Sequence, residues 1–215
     1  MGGCRVLEKL VSSIIRLKKG AVGRMVRERM GQFRALGSSP KDEIFKELCF
    51  CILTANYTAE GGIRIQKEIG DGFITLPCEA LASRLRSLGY RFPKKRADYI
   101  ARARLHRSEL SRQLSSSKPH DVRRWLVENV HGLGYKEASH FLRNIGHTGF
   151  AIIDFHIIDL LAREGIIEGP KSKSLSRKKY EVIETALGAI AKRSGTSQGE
   201  LDLYLWYLET GKILK

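Results

Sequence analysis

Apolar residues recur along this chain at helical spacing, and no alternating strand pattern of useful length appears. In residues 5–19, Leu7, Leu10, Val11, Ile14 and Leu17 share one face. A second run, started by Asp42 or the residues just before it, passes through Ile44, Phe45, Leu48, Ile52 and Leu53. Pro77 opens another, with Leu81, Leu85 and Leu88 inward and Gly89 as its stop. Pro93 begins a basic helix. Asp121 is the expected cap of a helix to about Val130. A turn follows at 131–134, then a helix from Tyr135 to Gly146. Asp154 opens the next, which Gly165 ends, and two more cover Arg177–Ser194 and Ser197–Thr210. Phe150–Ile153 reads as an isolated extended stretch, and 169–176 as a loop by its Gly, Pro and Ser content. The pattern predicts an all-α fold.

Length and composition narrow the class. The chain has 215 residues and 42% apolar content, enough to bury a real core. No window approaches the roughly 18 uninterrupted apolar residues of a membrane span, so no membrane partner is expected. The N-terminus alternates charged and apolar residues and lacks the apolar centre of a secretory signal. Cys49 and Cys51 lie in an apolar helical run and point in different directions, which suits neither a disulfide nor a zinc clamp. With Cys4 and Cys78 they read as reduced thiols of a cytoplasmic protein.

Charge changes the picture more. The formal net charge is +15. It is clustered: Arg84–Arg112 holds ten Lys/Arg against Asp98 and Glu109, and Lys171–Lys179 holds five with no acid. A basic excess can serve solubility alone. Clustering favours a nucleic-acid partner, because Lys and Arg contacts to phosphates release condensed counterions.

The candidate chemistry sits between Val130 and His156. Two short amphipathic helices flank His-Gly-Leu-Gly at 131–134. Gly132 and Gly134 allow a tight turn and close approach to a DNA backbone. The amides that open the second helix suit a phosphate oxygen. An ordinary αα-hairpin has the same outline. Lys136 lies in the first turn after the hairpin, where a helix N-terminus disfavours positive charge. That is tolerable for a surface lysine and useful for a nucleophile, because an amine attacks only when unprotonated. Asp154 stands where a helix begins. It reads as an N-cap, and a rigidly capped carboxylate also suits stabilising positive charge on a sugar.

The hairpin, Lys136 and the distal Asp154 resemble the helix-hairpin-helix DNA glycosylase superfamily. Four strings, CFCILTANYTAEGGIRIQKEIG (49–70), GYRFPKKRADYI (89–100), GLGYKEASHFLRNIG (132–146) and LDLYLWYLETGKILK (201–215), are similar to one branch. That branch is the compact archaeal and bacterial 8-oxoguanine DNA glycosylase/lyase family, which has no separate N-terminal β-domain. The resemblance runs from about residue 25 to the last residue and weakens at 105–120. It implies one helix-hairpin-helix glycosylase unit of two helical lobes over 1–215, with DNA in a cleft between the lobes and the hairpin at about 121–146. No linker in the sequence marks the lobe boundary.

By resemblance, Lys136 attacks the deoxyribose C1′, displaces 8-oxoguanine and forms a Schiff base. Asp154 stabilises the oxocarbenium-like charge, and β-elimination then cleaves the strand 3′ to the abasic site. The partner implied is double-stranded DNA containing 8-oxoguanine, met by a monomeric enzyme. Phe92 and Trp206 are the expected stacking surfaces for the extruded base, although core packing explains Trp206 as readily. Lys215 matches the family's lysine near the base. An acceptor facing N7–H would distinguish 8-oxoguanine from guanine. Asn56, Gln66 and a backbone carbonyl are all candidates, and the sequence does not choose among them. Iron–sulfur relatives carry four cysteines after the catalytic Asp. No cysteine follows Cys78 here, so no cluster is expected. No cofactor is required, and a structural cation is an option at the carbonyls of Val130 and Leu133. Two other readings share these features: a sister glycosylase with another lesion preference, and a non-catalytic hairpin that only grips DNA.

Overall fold

The structure is a computed structural model. It describes residues 2–169 and 175–215, with side chains from Leu7 onward. Every regular element among the described residues is a helix, and no helix is long and apolar enough to cross a membrane. The chain divides into two compact units, residues 1–34 with 146–215 and residues 35–145.

The first unit contains α1 (Gly2–Lys19), the larger part of α2 (Ala21–Gly37), α11 (Phe155–Arg163), α12 (Arg177–Ser194) and α13 (Gln198–Thr210). Leu10, Val11 and Ile14 are buried on the face of α1 that the apolar spacing marks. Helix α1 packs on α12, and the Lys18 ammonium donates to the carbonyls of Ser194 and Gly195 at the C-terminal end of α12. A cation there complements both the orphan carbonyls and the helix dipole. Ser176 and Ser197 cap α12 and α13 through their hydroxyls, accepting from Lys179 N and Glu200 N. Gly195 and Gly211 end those helices in the left-handed conformation. The loop expected at 169–176 falls largely outside the described residues, as do Lys171 and Lys173 of the second basic cluster.

The second unit is built round α3 (Lys41–Thr54), where Cys49, Phe50, Cys51, Ile52 and Leu53 are wholly buried. Burial pushes the Cys49 thiol up, which leaves it an inert core residue. Around it stand α4 (Ala59–Ile69), the short α5 (Gly72–Thr75), α6 (Cys78–Ser87), α7 (Pro93–Leu105), α8 (Arg107–Ser116), α9 (Pro119–Asn129) and α10 (Tyr135–Asn144). A buried polar knot joins three of them. The Glu47 carboxylate of α3 accepts from Asn144 Nδ2 of α10 at 2.6 Å and from Gln66 Nε2 of α4 at 3.0 Å. Hydrogen bonding of this kind makes a buried carboxylate tolerable.

One helix start differs from the sequence expectation. Asp121 does not cap α9. Lys118 is the N-cap and Pro119 takes the first helical position, where its missing N–H and fixed φ cost nothing. Asp121 instead lies in the first turn, paired with Arg124 at 2.5 Å. The basic cluster at 84–112 is also less free than its charge suggests. Arg84 pairs with Glu68, Arg102 with Asp98, Arg107 with Asp42 and Arg112 with Glu109. Arg96 donates to Ala55 O at 2.8 Å. Arg104 donates to the carbonyls of Phe73 (2.8 Å), Leu76 (2.6 Å) and Gly72 (3.3 Å), where α5 is too short to satisfy its own C-terminal oxygens. Arg104→Ala should therefore destabilise the fold by about 2–3 kcal/mol, read as a lower urea midpoint with an unchanged denaturant slope.

Candidate active site

The hairpin is α9, a turn at 130–134, and α10. Arg123 of α9 binds the two helices together. Its Nη1 donates to Ser139 Oγ at 3.2 Å and its guanidinium lies 5.2 Å from the Tyr135 ring centroid. Val130 and Leu133 are buried, and Val130 O accepts the Leu133 amide at 3.2 Å. That oxygen keeps its second lone pair, so a cation at the Val130 carbonyl is compatible with the turn.

The two glycines of the turn do different work. Gly132 has φ +87, and a Cβ there would come within 2.5 Å of the Tyr99 ring and 2.9 Å of Arg96 Nη1. Its constraint is thus internal, a close approach to α7. Gly134 is exposed and has ordinary φ, −96. It precedes α10, and its amide donates to Glu137 Oε2 at 3.2 Å. Glu137 thereby supplies the carboxylate half of a capping box.

Lys136 is the second residue of α10, with 24% of its side chain exposed. Its Nζ lies 3.7 Å from Glu137 Oε1, so the same carboxylate caps the turn and faces the ammonium. Asn56, also in this unit, is exposed just beyond α3 and is the one non-glycine residue with positive φ, +62, among the described residues. Its loop is tied down by Arg96 on Ala55 O and by the Tyr90 hydroxyl on Leu53 O. Gln66 is instead engaged inside the unit, donating to Glu47 and to Lys46 O. Phe92 is the N-cap residue of α7, 38% exposed, with the Arg91 guanidinium 4.9 Å over its ring.

In the other unit, residues 151–153 run extended and buried into Asp154. Asp154 is the N-cap of α11, and its Oδ1 accepts from Ile157 N at 3.0 Å. Trp206 of α13 is half-buried, and its ring meets the edge of His156 at 5.0 Å and 88°. The indole N–H is buried and makes no hydrogen bond among the described residues. After Gly211 the chain leaves the helix, Ile213 is buried and Lys215 is half-buried, so this end is packed rather than frayed.

The family model for 8-oxoguanine DNA glycosylase matches residues 26–196. The chain belongs to the 8-oxoguanine DNA glycosylase family. It is 52% identical to the 8-oxoguanine DNA glycosylase/AP lyase of Korarchaeum cryptofilum over 97% of this chain and 99% of that protein. The crystal structure of the 8-oxoguanine DNA glycosylase of Thermotoga maritima is 44% identical, with a TM-score of 0.91 over 97% of this chain and 100% of that one. The Methanocaldococcus jannaschii 8-oxoguanine glycosylase/lyase, solved with a 15mer DNA containing 8-oxoguanine, is 48% identical. Its TM-score is 0.93, over 96% of this chain and 100% of that one. The all-helical fold is that of these glycosylases.

Sequence reasoning passed over several neighbours of the site. Glu137 was legible, since a carboxylate three positions after the residue that opens a helix is a capping-box signal. His156 against Trp206 and Arg91 over Phe92 were not, because ring contacts depend on tertiary placement. Gly132→Ala should destabilise the hairpin by more than about 1 kcal/mol, from left-handed strain and the Tyr99 contact. Gly134→Ala, whose Cβ would meet only Glu137 Oε2 at 3.3 Å, should cost less. Paired thermal melts check the order.

Proposed function

We propose that this protein excises 8-oxoguanine from double-stranded DNA and cleaves the strand at the resulting abasic site, with Lys136 as nucleophile. Family membership and relatives named glycosylase/AP lyase support the two activities. The observation that carries the residue assignment is the place of Lys136, partly buried in the first turn after the hairpin with the Glu137 carboxylate beside it.

The chemistry follows from an amine and a carboxylate. The Lys136 amine forms a bond to C1′ as the glycosidic bond breaks, and that electron pair leaves with the base. Asp154, held rigidly by its cap, stabilises the positive charge that develops on the sugar. Ring opening gives a Schiff base on Lys136. Loss of a C2′ proton then expels the 3′ phosphate, and water releases the lysine. Phe92 and Trp206 offer flat faces for an extruded base, which regain part of the few kcal/mol that extrusion costs. Lys215 is assigned with them as a reader of the base, and Asn56 remains an exposed candidate for that role. In this reading the Gln66 amide supports the fold rather than the base. The archaeal and bacterial relatives favour a prokaryotic cytoplasm as the place of action.

The decisive experiment is borohydride trapping on a duplex carrying 8-oxoguanine. The wild type should form a covalent adduct. Lys136→Ala should bind the duplex but give neither adduct nor base release, and full base release by this variant would refute the assignment.

The structure also sorts the basic residues. Among the described residues of the 84–112 cluster, Arg86, Arg91, Lys94 and Lys95 make no ion pair, whereas the arginines above hold carboxylates or carbonyls. DNA affinity should fall steeply with salt. If Lys94 contacts a phosphate, Lys94→Ala should reduce the slope of log affinity against log salt by about one, whereas Arg102→Ala should leave it unchanged. A titration of binding at several salt concentrations checks both.

A further inference from the structure

The peptide that delivers Asp154 lacks the partners that regular structure would supply. Ala151, Ile152 and Ile153 are buried and extended, with no helix or strand to take their amides and carbonyls. Buried backbone groups must find partners, and side chains supply them for the Ala151 amide and carbonyl and the Ile153 amide. The Tyr180 hydroxyl donates to Ala151 O at 2.7 Å and accepts from Ile153 N at 3.3 Å. One turn further along α12, Glu184 Oε1 accepts from Ala151 N at 3.1 Å. Both side chains are buried, Tyr180 at 3% and Glu184 at 9% exposure, and their spacing puts them on one face of the helix.

This clamp ends one residue before Asp154. Upstream, the Ile153 amide is held by Tyr180. Downstream, Asp154 Oδ1 is held by Ile157 N. The direction of the Asp154 carboxylate is therefore set from both sides. We propose that Tyr180 and Glu184 are positioning residues for base excision, acting through Asp154. The inference rests on the reading of Asp154 given above. It assigns Tyr180 no contact with DNA, so its loss should spare binding.

The two halves of the reaction separate this role from a purely structural one. Breaking the glycosidic bond develops positive charge on the sugar, which is where Asp154 acts. A pre-formed abasic site already presents an aldehyde to Lys136 and has no such charge to stabilise. Tyr180→Phe removes the bridging oxygen with little change of shape. It should slow single-turnover excision of 8-oxoguanine by about tenfold or more, since small misplacements are costly in a positioned site. Cleavage of the matched abasic duplex and affinity for DNA should stay near wild type. Glu184→Gln keeps an acceptor for Ala151 N and should retain excision, whereas Glu184→Leu should lose it selectively. The glutamate pair also serves if Tyr180→Phe fails to fold. All variants are compared as full-length protein, well below their melting temperatures.

A Tyr180→Phe protein that excises at the wild-type rate overturns the clamp. So does one that loses excision and abasic-site cleavage in equal proportion. Asp154→Asn, run beside them, should show the same selective loss. If it excises at the wild-type rate, the reading of Asp154 itself fails, a result distinct from failure of the clamp alone.

Discussion

A backbone amide or carbonyl buried without a partner costs about 1–3 kcal/mol, and an all-helical protein meets that constraint wherever a helix stops. Inside a helix the chain satisfies itself. At the ends, four donors and four acceptors are left over. Here side chains of the same unit, some distant in sequence and some the helix's own N-cap, answer them. Lys18 takes the end of α12, Arg104 the end of α5 and Arg96 the carbonyl just past α3. Thr58, Asp154, Ser176 and Ser197 take the starts of α4, α11, α12 and α13. Packing of the apolar faces gives the units their cores, and these end-to-side-chain bonds hold the helix ends and the loops between them.

Several candidate site residues sit at those same ends. Lys136 occupies the first turn of α10, Asp154 the N-cap of α11 and Phe92 the N-cap of α7. Asn56 follows α3, and Lys215 follows the glycine that ends α13. A helix end projects side chains away from the packed face while its backbone remains anchored. That combination gives a positioned group access to a large substrate. Glu137 illustrates the economy of the arrangement, since one carboxylate both closes the hairpin turn and faces Lys136.

Basic residues divide along a similar line. Arginine, with several planar donors, serves where carbonyls or carboxylates converge, as Arg104 and Arg96 do. The lysines of α7 remain outward; Lys95 lies 5.8 Å from the Tyr99 ring centroid without a carboxylate partner. Net charge alone overstates the surface offered to a polyanion, because part of it neutralises the protein's own oxygen atoms.

Much of the fold was legible in the sequence because helical periodicity is local. The apolar faces of α1, α3 and α10, the proline starts of α6 and α7 and the glycine ends of α12 and α13 all lie within a few residues of the features they control. Helix α2 shows the same signal in Val26, Met30 and Phe33, although its glycines and charges obscure it. In α4 two adjacent glycines hide the start that Thr58 caps, and α8 has one buried residue, Leu110, to mark its face. The motifs also placed Lys136 and Asp154 at helix starts. What the local pattern could not contain was the far partner of each polar group. The Glu47 partner of Gln66 comes from α3, and the Tyr99 ring that constrains Gly132 comes from α7. Tyr180 and Glu184 are ordinary helix residues until the extended 151–153 segment is laid across them. A hydrogen bond is made between atoms within about 3 Å of each other, whatever their separation along the chain. Residues far apart in sequence acquire their roles when packing of the apolar faces fixes which helices are neighbours.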